Sequence, residues 1–273
     1  MFVSAPGGIT GPDRKIRICG LHSGEYRLNV ISQTPAAAPD FFGTAMVVIS
    51  DKDENQIVVA ASPRIPVPGE VVWDGAPPEP PVASTLLINL RPIARAPFAA
   101  ELNPPRSPIP GKFSFEGMFV DDYAAQIQGV PASAYLKDVT YGDRSVQYAP
   151  MRPGTTTGEA TLRVILARDG GKISAKVADK DGNPIADSSV VILPASAASE
   201  ATLAAEMISG QVDQNGAWST NMLAPGKYYL LATQAPVLKS PEIVGKLWLA
   251  RSKAREVEIT PGATVQVTLP PLD

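Results

Sequence analysis

One histidine, His22, and one cysteine, Cys19, stand three positions apart in 273 residues. A thiolate beside an imidazole is what nucleophilic cysteine chemistry requires. Here the pair sits in ICGLHSG, and an inert, partly buried thiol next to a solvated turn histidine accounts for both residues. A zinc peptidase is excluded, because its metal needs two histidines or a His-Glu pair with a further histidine. Serine catalysis through a histidine base would rest on His22 alone, and no G-x-S-x-G elbow or Ser-x-x-Lys pair occurs. Gly-Lys dipeptides begin at Gly111, Gly171, Gly226 and Gly245, but Phe, Ile, Tyr or Leu follows each, never the Ser or Thr of a phosphate loop.

Carboxylates offer three further candidates. DKDGN (179–183) and DKDEN (51–55) space oxygen ligands at alternate positions, as calcium loops do. Neither continues to the distal glutamate of an EF-hand, and the first reads as a hairpin turn. Glu116 with Asp121 and Asp122 is the nearest group to a glycosidase pair, and a solvated loop explains it. Among the tryptophans, Trp73 beside DGAPPEPP and Trp248 on an expected helix are the candidate contacts for a sugar ligand. No catalytic residue, metal ligand or cofactor site is expected from these patterns.

The elements that would position such groups follow from composition and repetition. Hydrophobic residues make up 44% and charged residues 19%, enough to build cores. The 28 prolines and 22 glycines suit many short strands joined by turns. A net charge of −3 without long charged runs gives no electrostatic footprint for nucleic acid or a membrane surface. The opening MFVSAPGGITGPDRKIR lacks the order of a secretory signal, and no apolar run approaches the ~18 residues that span a bilayer. Membrane insertion of this segment is not expected.

Three segments repeat: DRKIRICGLHSGEYRLNV (13–30), PGKFSFEGMFVDDYAAQI (110–127) and NGAWSTNMLAPGKYYLLA (215–232). They align on Tyr26, Tyr123 and Tyr228, which are 97 and 105 residues apart. Ten positions before the tyrosine stand Ile16, Phe113 and Trp218; eight before, Ile18, Phe115 and Thr220; five before, Leu21, Met118 and Leu223. Apolar steps of two on both sides of a turn predict two half-buried strands with a tight connection. The tyrosine enters the second strand ring inward, its hydroxyl near a backbone carbonyl, as in the tyrosine corner of sandwich folds. Burying such a ring contributes roughly 1.5–3 kcal/mol. Tyr26, Phe113, Tyr123, Trp218 and Tyr228 are therefore core residues of the repeat, with Tyr229 turned toward solvent.

A period near 100 residues is one β-sandwich, so an all-β chain of tandem Ig-like or transthyretin-like seven-stranded sandwiches is expected. The last copy, 170–273, opens with two alternating strands around a hairpin turn in KISAKVADKDGNPIADSSVVILP (172–194) and closes with AREVEITPGATVQVTLPP. The middle copy, 65–169, opens at PVPGEVVWDGAPPEPP, continues through STLLINLRPI and FAAELN, and ends with TLRVILAR. One short helix is expected near 240–252, capped by Ser240 with Pro241 at its first position and Ile243, Leu247 and Ala250 on one face. Residues 195–208 are a loop or a short helix. The first copy, 1–64, holds the Tyr26 unit and closing strands in TAMVVIS and NQIVVAAS but lacks two opening strands. Half a sandwich exposes its core face, so the chain is expected to be the C-terminal part of a longer protein.

GKISAKVADKDGNPIADSSVVILP followed by VDQNGAWSTNMLAPGKYYLLAT resembles the carboxypeptidase regulatory-like domain, a transthyretin-like sandwich. Asp179, Gly182, Pro184, Ile185 and Val190 match the first part of that family's pattern. Asp213, Gly216 and Trp218 match the second, and Leu223, Pro225, Gly226, Tyr228 and Leu230 the third. YLKDVTYGDRSV (135–146) resembles a segment of long multi-repeat bacterial members. The resemblance implies a non-catalytic stabilising, spacing or binding module, periplasmic, cell-surface or extracellular if part of a longer precursor. Its partner would be a protein or polysaccharide of the cell envelope. A carbohydrate-binding module using Trp73 and Trp248 is the alternative.

Overall fold

A computed structural model describes residues 8–32, 40–50, 57–80, 84–93, 105–154, 160–197, 200–234, 237 and 240–271. The chain is all-β, a tandem of β-sandwich units. Strands β1 (Gly24–Ile31), β2 (Phe41–Ile49) and β3 (Ala61–Pro63) form one antiparallel sheet in that order. After the single residue Arg64 the middle unit begins: β4 (Ile65–Trp73), β5 (Thr85–Pro92), β6 (Arg106–Pro108), β7 (Gly111–Met118), β8 (Tyr123–Gln128), β9 (Tyr135–Tyr141), β10 (Arg144–Ser145) and β11 (Leu162–Ala167). These form a five-stranded sheet, β10-β9-β11-β4-β7, and a three-stranded sheet, β6-β5-β8.

The last unit contains β12 (Lys172–Val177), β13 (Ser189–Pro194), α1 (Glu200–Glu206), β14 (Ile208–Gln211), β15 (Ala217–Ser219), β16 (Gly226–Thr233), α2 (Pro241–Ala250), β17 (Arg255–Ile259) and β18 (Thr264–Leu269). Its sheets are β15-β12-β18 and β14-β13-β16-β17. Strands β12 and β13 lie in different sheets, so 172–194 is a crossover between layers and not the expected hairpin. The DKDGN turn still forms: Asp179 accepts from the backbone N–H of Asp181 and Asn183 and from the Asn183 amide. That amide and the backbone donors hold the Asp179 carboxyl below the usual carboxylate range.

Cores explain the strand patterns. Val67, Val71, Phe115 and Leu162 of one sheet meet Leu86, Ile88 and Tyr123 of the other in the middle unit. In the last unit Ile173, Ala175 and Val177 meet Val190, Leu230 and Tyr228. There β13 is buried on both faces, because its Val191 and Leu193, with Leu231 of β16, pack outward against Leu203, Met207, Val244 and Leu247 of a helical layer. Residues 195–208 thus include a helix. Tyr229, expected in solvent, is half-buried under the same layer. α2 begins as expected, the Ser240 hydroxyl accepting from the Ile243 N–H at 3.3 Å, and a 3-10 turn, Arg251–Lys253, follows it.

Two expected strands are absent. Residues 15–22 form no strand, and Ile16 is 44% exposed. Of NQIVVAAS, the described part 57–60 is not in a ladder; only Ala61 and Ser62 join β3, which pairs back onto β2. FAAELN lies outside the described residues.

Two aromatic residues of the repeat rest on glycines. Gly69 pairs with Phe113 across β4 and β7, and a Cβ on Gly69 would stand 2.2 Å from that ring. A Cβ on Gly210 would stand 2.1 Å from the Trp218 indole nitrogen. Overpacking of this kind costs roughly 1–3 kcal/mol. Gly210→Ala is expected to lower the free energy of unfolding by that amount and to shift Trp218 fluorescence, both read in one denaturant titration.

Candidate functional site

Two of the three tyrosines make the same bond. The Tyr26 hydroxyl donates to the His22 carbonyl at 2.9 Å and the Tyr228 hydroxyl to the Ala224 carbonyl at 2.8 Å, each four residues upstream. At Tyr123 the Phe119 backbone, also four residues upstream, acts in the other sense and favours the ionised phenol. Tyr123 and Tyr228 are 3% and 8% exposed, and burial pushes both phenols up to about 12. Tyr26 is only half-buried, because no second sheet covers it among the described residues. Phe113 is buried and Trp218 half-buried against the last core. His22 and Cys19 are exposed, and His22 serves through its backbone carbonyl.

Chemistry-bearing side chains gather instead where units meet. At the first joint Arg27 of β1 donates through one terminal nitrogen to both oxygens of Asp121, at 3.1 and 2.9 Å. Its Nε donates to Thr44 at 2.9 Å, and Asp121 also accepts from the Asp122 N–H. Asp121 is 5% exposed. It is therefore not the solvated loop residue expected from sequence: an arginine 94 positions away neutralises it. Phe42 stacks tilted on Phe119 at 5.2 Å between ring centres, and the Arg64 guanidinium lies 5.2 Å above the same Phe119 ring. Sequence reasoning missed Arg27 because nothing near it marks a distant carboxylate.

The second joint lies around the four residues 168–171 between β11 and β12. The Tyr135 hydroxyl donates to Asp169 at 2.8 Å; burial, with that carboxylate, pushes the phenol up. The Met222 N–H donates to the Ala132 carbonyl at 3.2 Å, joining the two units through the backbone. Lys137 pairs with Asp74 nearby. The charge of Glu206 at the end of α1 contributes to raising the phenols of Tyr148 of the middle unit and Tyr228 of the last. Burial pushes the Glu206 carboxyl up to about 7.

The two candidate sugar contacts are separate and half-buried. Trp73 packs on the middle core, and its indole N–H has no partner among the described residues. Trp248 packs on the helical layer with the Arg251 guanidinium 3.4 Å from its ring centre. Among the described residues one open cleft, ≈ 420 Å³, runs along Lys15–Cys19 with Gly8 and Ile9, and another, ≈ 440 Å³, lies over Glu70, Lys112 and Arg163. Among the described residues no group of three or more His, Cys, Asp or Glu is placed to hold a metal ion, and no helix is long and apolar enough to cross a membrane.

No family model matches the chain, and no curated protein matches it. Among solved structures it is similar to the TIE protein of Bacillus anthracis, at 13% identity over 91% of this chain with a TM-score of 0.28. The chain spans 43% of the length of that protein. It is also similar to a streptococcal ancillary pilin, at 12% identity over 93% of this chain and 78% of the pilin, TM-score 0.30. The shaft pilin SpaA of Lactobacillus rhamnosus GG matches at 8% identity over 77% of this chain and 98% of its own, TM-score 0.25.

Glu206 makes the second joint sensitive to pH. A carboxyl that holds its proton more tightly in the folded than in the unfolded chain loses folded-state stability as pH rises from about 4.5 through about 7. Below that window both states are protonated and the contribution vanishes. Glu206→Gln is expected to unfold at the same temperature as the parent at pH 4 and at a higher temperature at pH 8. Thermal unfolding followed across that range checks it.

Proposed function

We propose that this chain is a non-catalytic spacing and interaction segment of a bacterial cell-envelope or secreted protein. In this reading it is built from sandwiches of the carboxypeptidase regulatory-like type with boundaries near 64/65 and 169/170. Its partners are proteins or polysaccharides of the envelope. One observation carries the spacer role: successive units are held by side chains and not only by a tether. The first joint has a single linking residue, Arg64, and an ion pair whose Asp121 side chain is largely withdrawn from water. Charges brought this far out of water demand defined geometry, since a misplaced partner leaves an uncompensated charge. A one-residue linker removes the slack that would let the units swing. Stiff joints in series transmit orientation and load, which a surface spacer needs and a chain of free modules does not supply.

Small-angle scattering of the full chain, paired with limited trypsin digestion, tests this. The parent is expected to fit one arrangement of its units and to resist cleavage after Arg64. Asp121→Ala, which strands the Arg27 charge, is expected to raise the radius of gyration and to speed cleavage at Arg64 several-fold. A parent profile that requires many arrangements, or equal cleavage rates in both chains, would overturn the spacer role.

A further inference from the structure

An open sheet edge is a template for another strand unless charge, proline, shortness or a cover blunts it. Most edges here are blunted. β1 carries Glu25 and Arg27, β7 carries Lys112 and Glu116, and β17 carries Arg255, Glu256 and Glu258. β3, β6, β10, β14 and β15 are four residues long or shorter, and β8 is bridged at Tyr123 by Met151. β18 differs. Its residues, TVQVTL, include no charge, proline or glycine, and among the described residues only β12 pairs with it.

The backbone shows which groups that edge presents. The Ala263 carbonyl accepts from the Lys172 N–H at 2.8 Å and the Leu269 carbonyl from the Ala178 N–H at 3.1 Å, so both turn toward β12. Peptide groups alternate sides along a strand. Val265 and Val267 therefore bond toward β12 as well, and the N–H and C=O groups of Thr264, Gln266 and Thr268 point out of the open edge. Side chains alternate between the faces in step. Val265 and Val267 lie half-buried against the last core, whereas Thr264, Gln266 and Thr268 are exposed.

This edge reads the same in both directions: Thr264-Val265-Gln266-Val267-Thr268 is centred on Gln266. A two-fold axis through Gln266, perpendicular to the sheet, sets a second copy antiparallel with every residue opposite its own kind. Gln266 faces Gln266 of the second copy, Thr264 faces Thr268, and Val265 faces Val267. The outward-pointing threonines and glutamine fall in hydrogen-bonded pairs, each exchanging both backbone bonds. The valines fall in the closer, non-hydrogen-bonded pairs and cover each other's exposed flank. A slip of two residues toward the C-terminus would set Thr264 against Pro270, which has no N–H to give. Lys172 and Lys176 stand beside Thr264 and Thr268 on β12. Across the joined edges they would lie three strand spacings apart, roughly 14 Å, which is beyond the screening length at 0.1 M salt.

We propose that β18 is a self-pairing edge: two copies of this chain join antiparallel through Thr264–Thr268, merging their β15-β12-β18 sheets into one. A single short ladder is smaller than the roughly 1,600 Å² of a standard interface, so copies associate reversibly at high concentration and form no permanent dimer. This goes beyond the spacer role and does not depend on it.

Sedimentation velocity of the full chain, taken up to about 1 mM, is expected to show a reversible monomer–dimer equilibrium. Residue-resolved amide exchange over the same range locates the contact. Thr264, Gln266 and Thr268 are expected to slow as concentration rises, while Val265 and Val267, already bonded to β12, stay unchanged. Gln266→Lys sets like charges opposite each other and is expected to weaken dimerisation about two- to five-fold, as is Gln266→Glu. An equimolar mixture of the two variants pairs Lys with Glu and is expected to associate more tightly than either alone. Gln266 is exposed, so both variants are expected to unfold at the temperature of the parent in dilute solution. A chain that stays monomeric throughout, a dimer in which these three amides exchange as in the monomer, or a mixture no tighter than the separate variants would overturn the proposal.

Discussion

An extended backbone keeps its shape only when its N–H and C=O groups find a ladder, because either group buried without a partner costs as much as a lost hydrogen bond. In this chain the requirement concentrates on one central strand per unit. β4 and β12 each hold an antiparallel neighbour on one side and a parallel one on the other. Parallel partners need a long crossover, so each central strand ties the beginning of its unit to the end. The aromatic residues ten before each tyrosine find their places through the same strands: Phe113 on Gly69 of β4, and Trp218 beside Ala175 of β12.

The second sheet is set by a more local device. A tyrosine hydroxyl that reaches the backbone four residues upstream fixes how the chain turns into its strand, and a slip of one residue would reverse every side chain. This is why β1-β2 and β16-β17 share a register although nine residues join the first pair and a helix intervenes in the second. The middle unit lacks this second-sheet pairing. Its next strand, β9, crosses to the other sheet and pairs with β11. The Tyr123 end of β8 is instead bridged to Met151, and the preceding loop, Phe119–Asp122, receives the first sheet.

What could be read in the sequence was what local chemistry decides: the tyrosine turns, the Asp179 turn, the Ser240 cap and the alternation within β4, β7 and β12. Whether two alternating runs pair or cross between layers was not legible, since a tight turn after Val177 serves both outcomes. The helical layer left a trace in SVVILP, an unbroken apolar run where a half-buried strand would alternate. Alternation in Lys15–Leu21 was real, and 57–60 is an unbroken apolar run, yet such patterns describe only how a strand would face a core, not whether a neighbour exists to hold it. Asp121 was misread because the partner that draws it out of water is long-range, and charge alone marks a residue as solvated until such a partner is known.

That ion pair sets the character of the first joint. Burying charges is weak evidence for stability, because apolar side chains of equal volume hold a contact as well or better. Apolar contacts such as Phe42 on Phe119 are non-directional, however, and permit the two surfaces to slide. Arg27 does not: its terminal nitrogen spans both Asp121 oxygens while its Nε is held by Thr44, and the Asp122 N–H fixes the carboxylate from the other side. Sliding by even one residue along β1 would strand a carboxylate that is 5% exposed. Ring contact therefore supplies cohesion at the joint and the ion pair supplies angle, while the single residue Arg64 between β3 and β4 limits how far the two sheets can part.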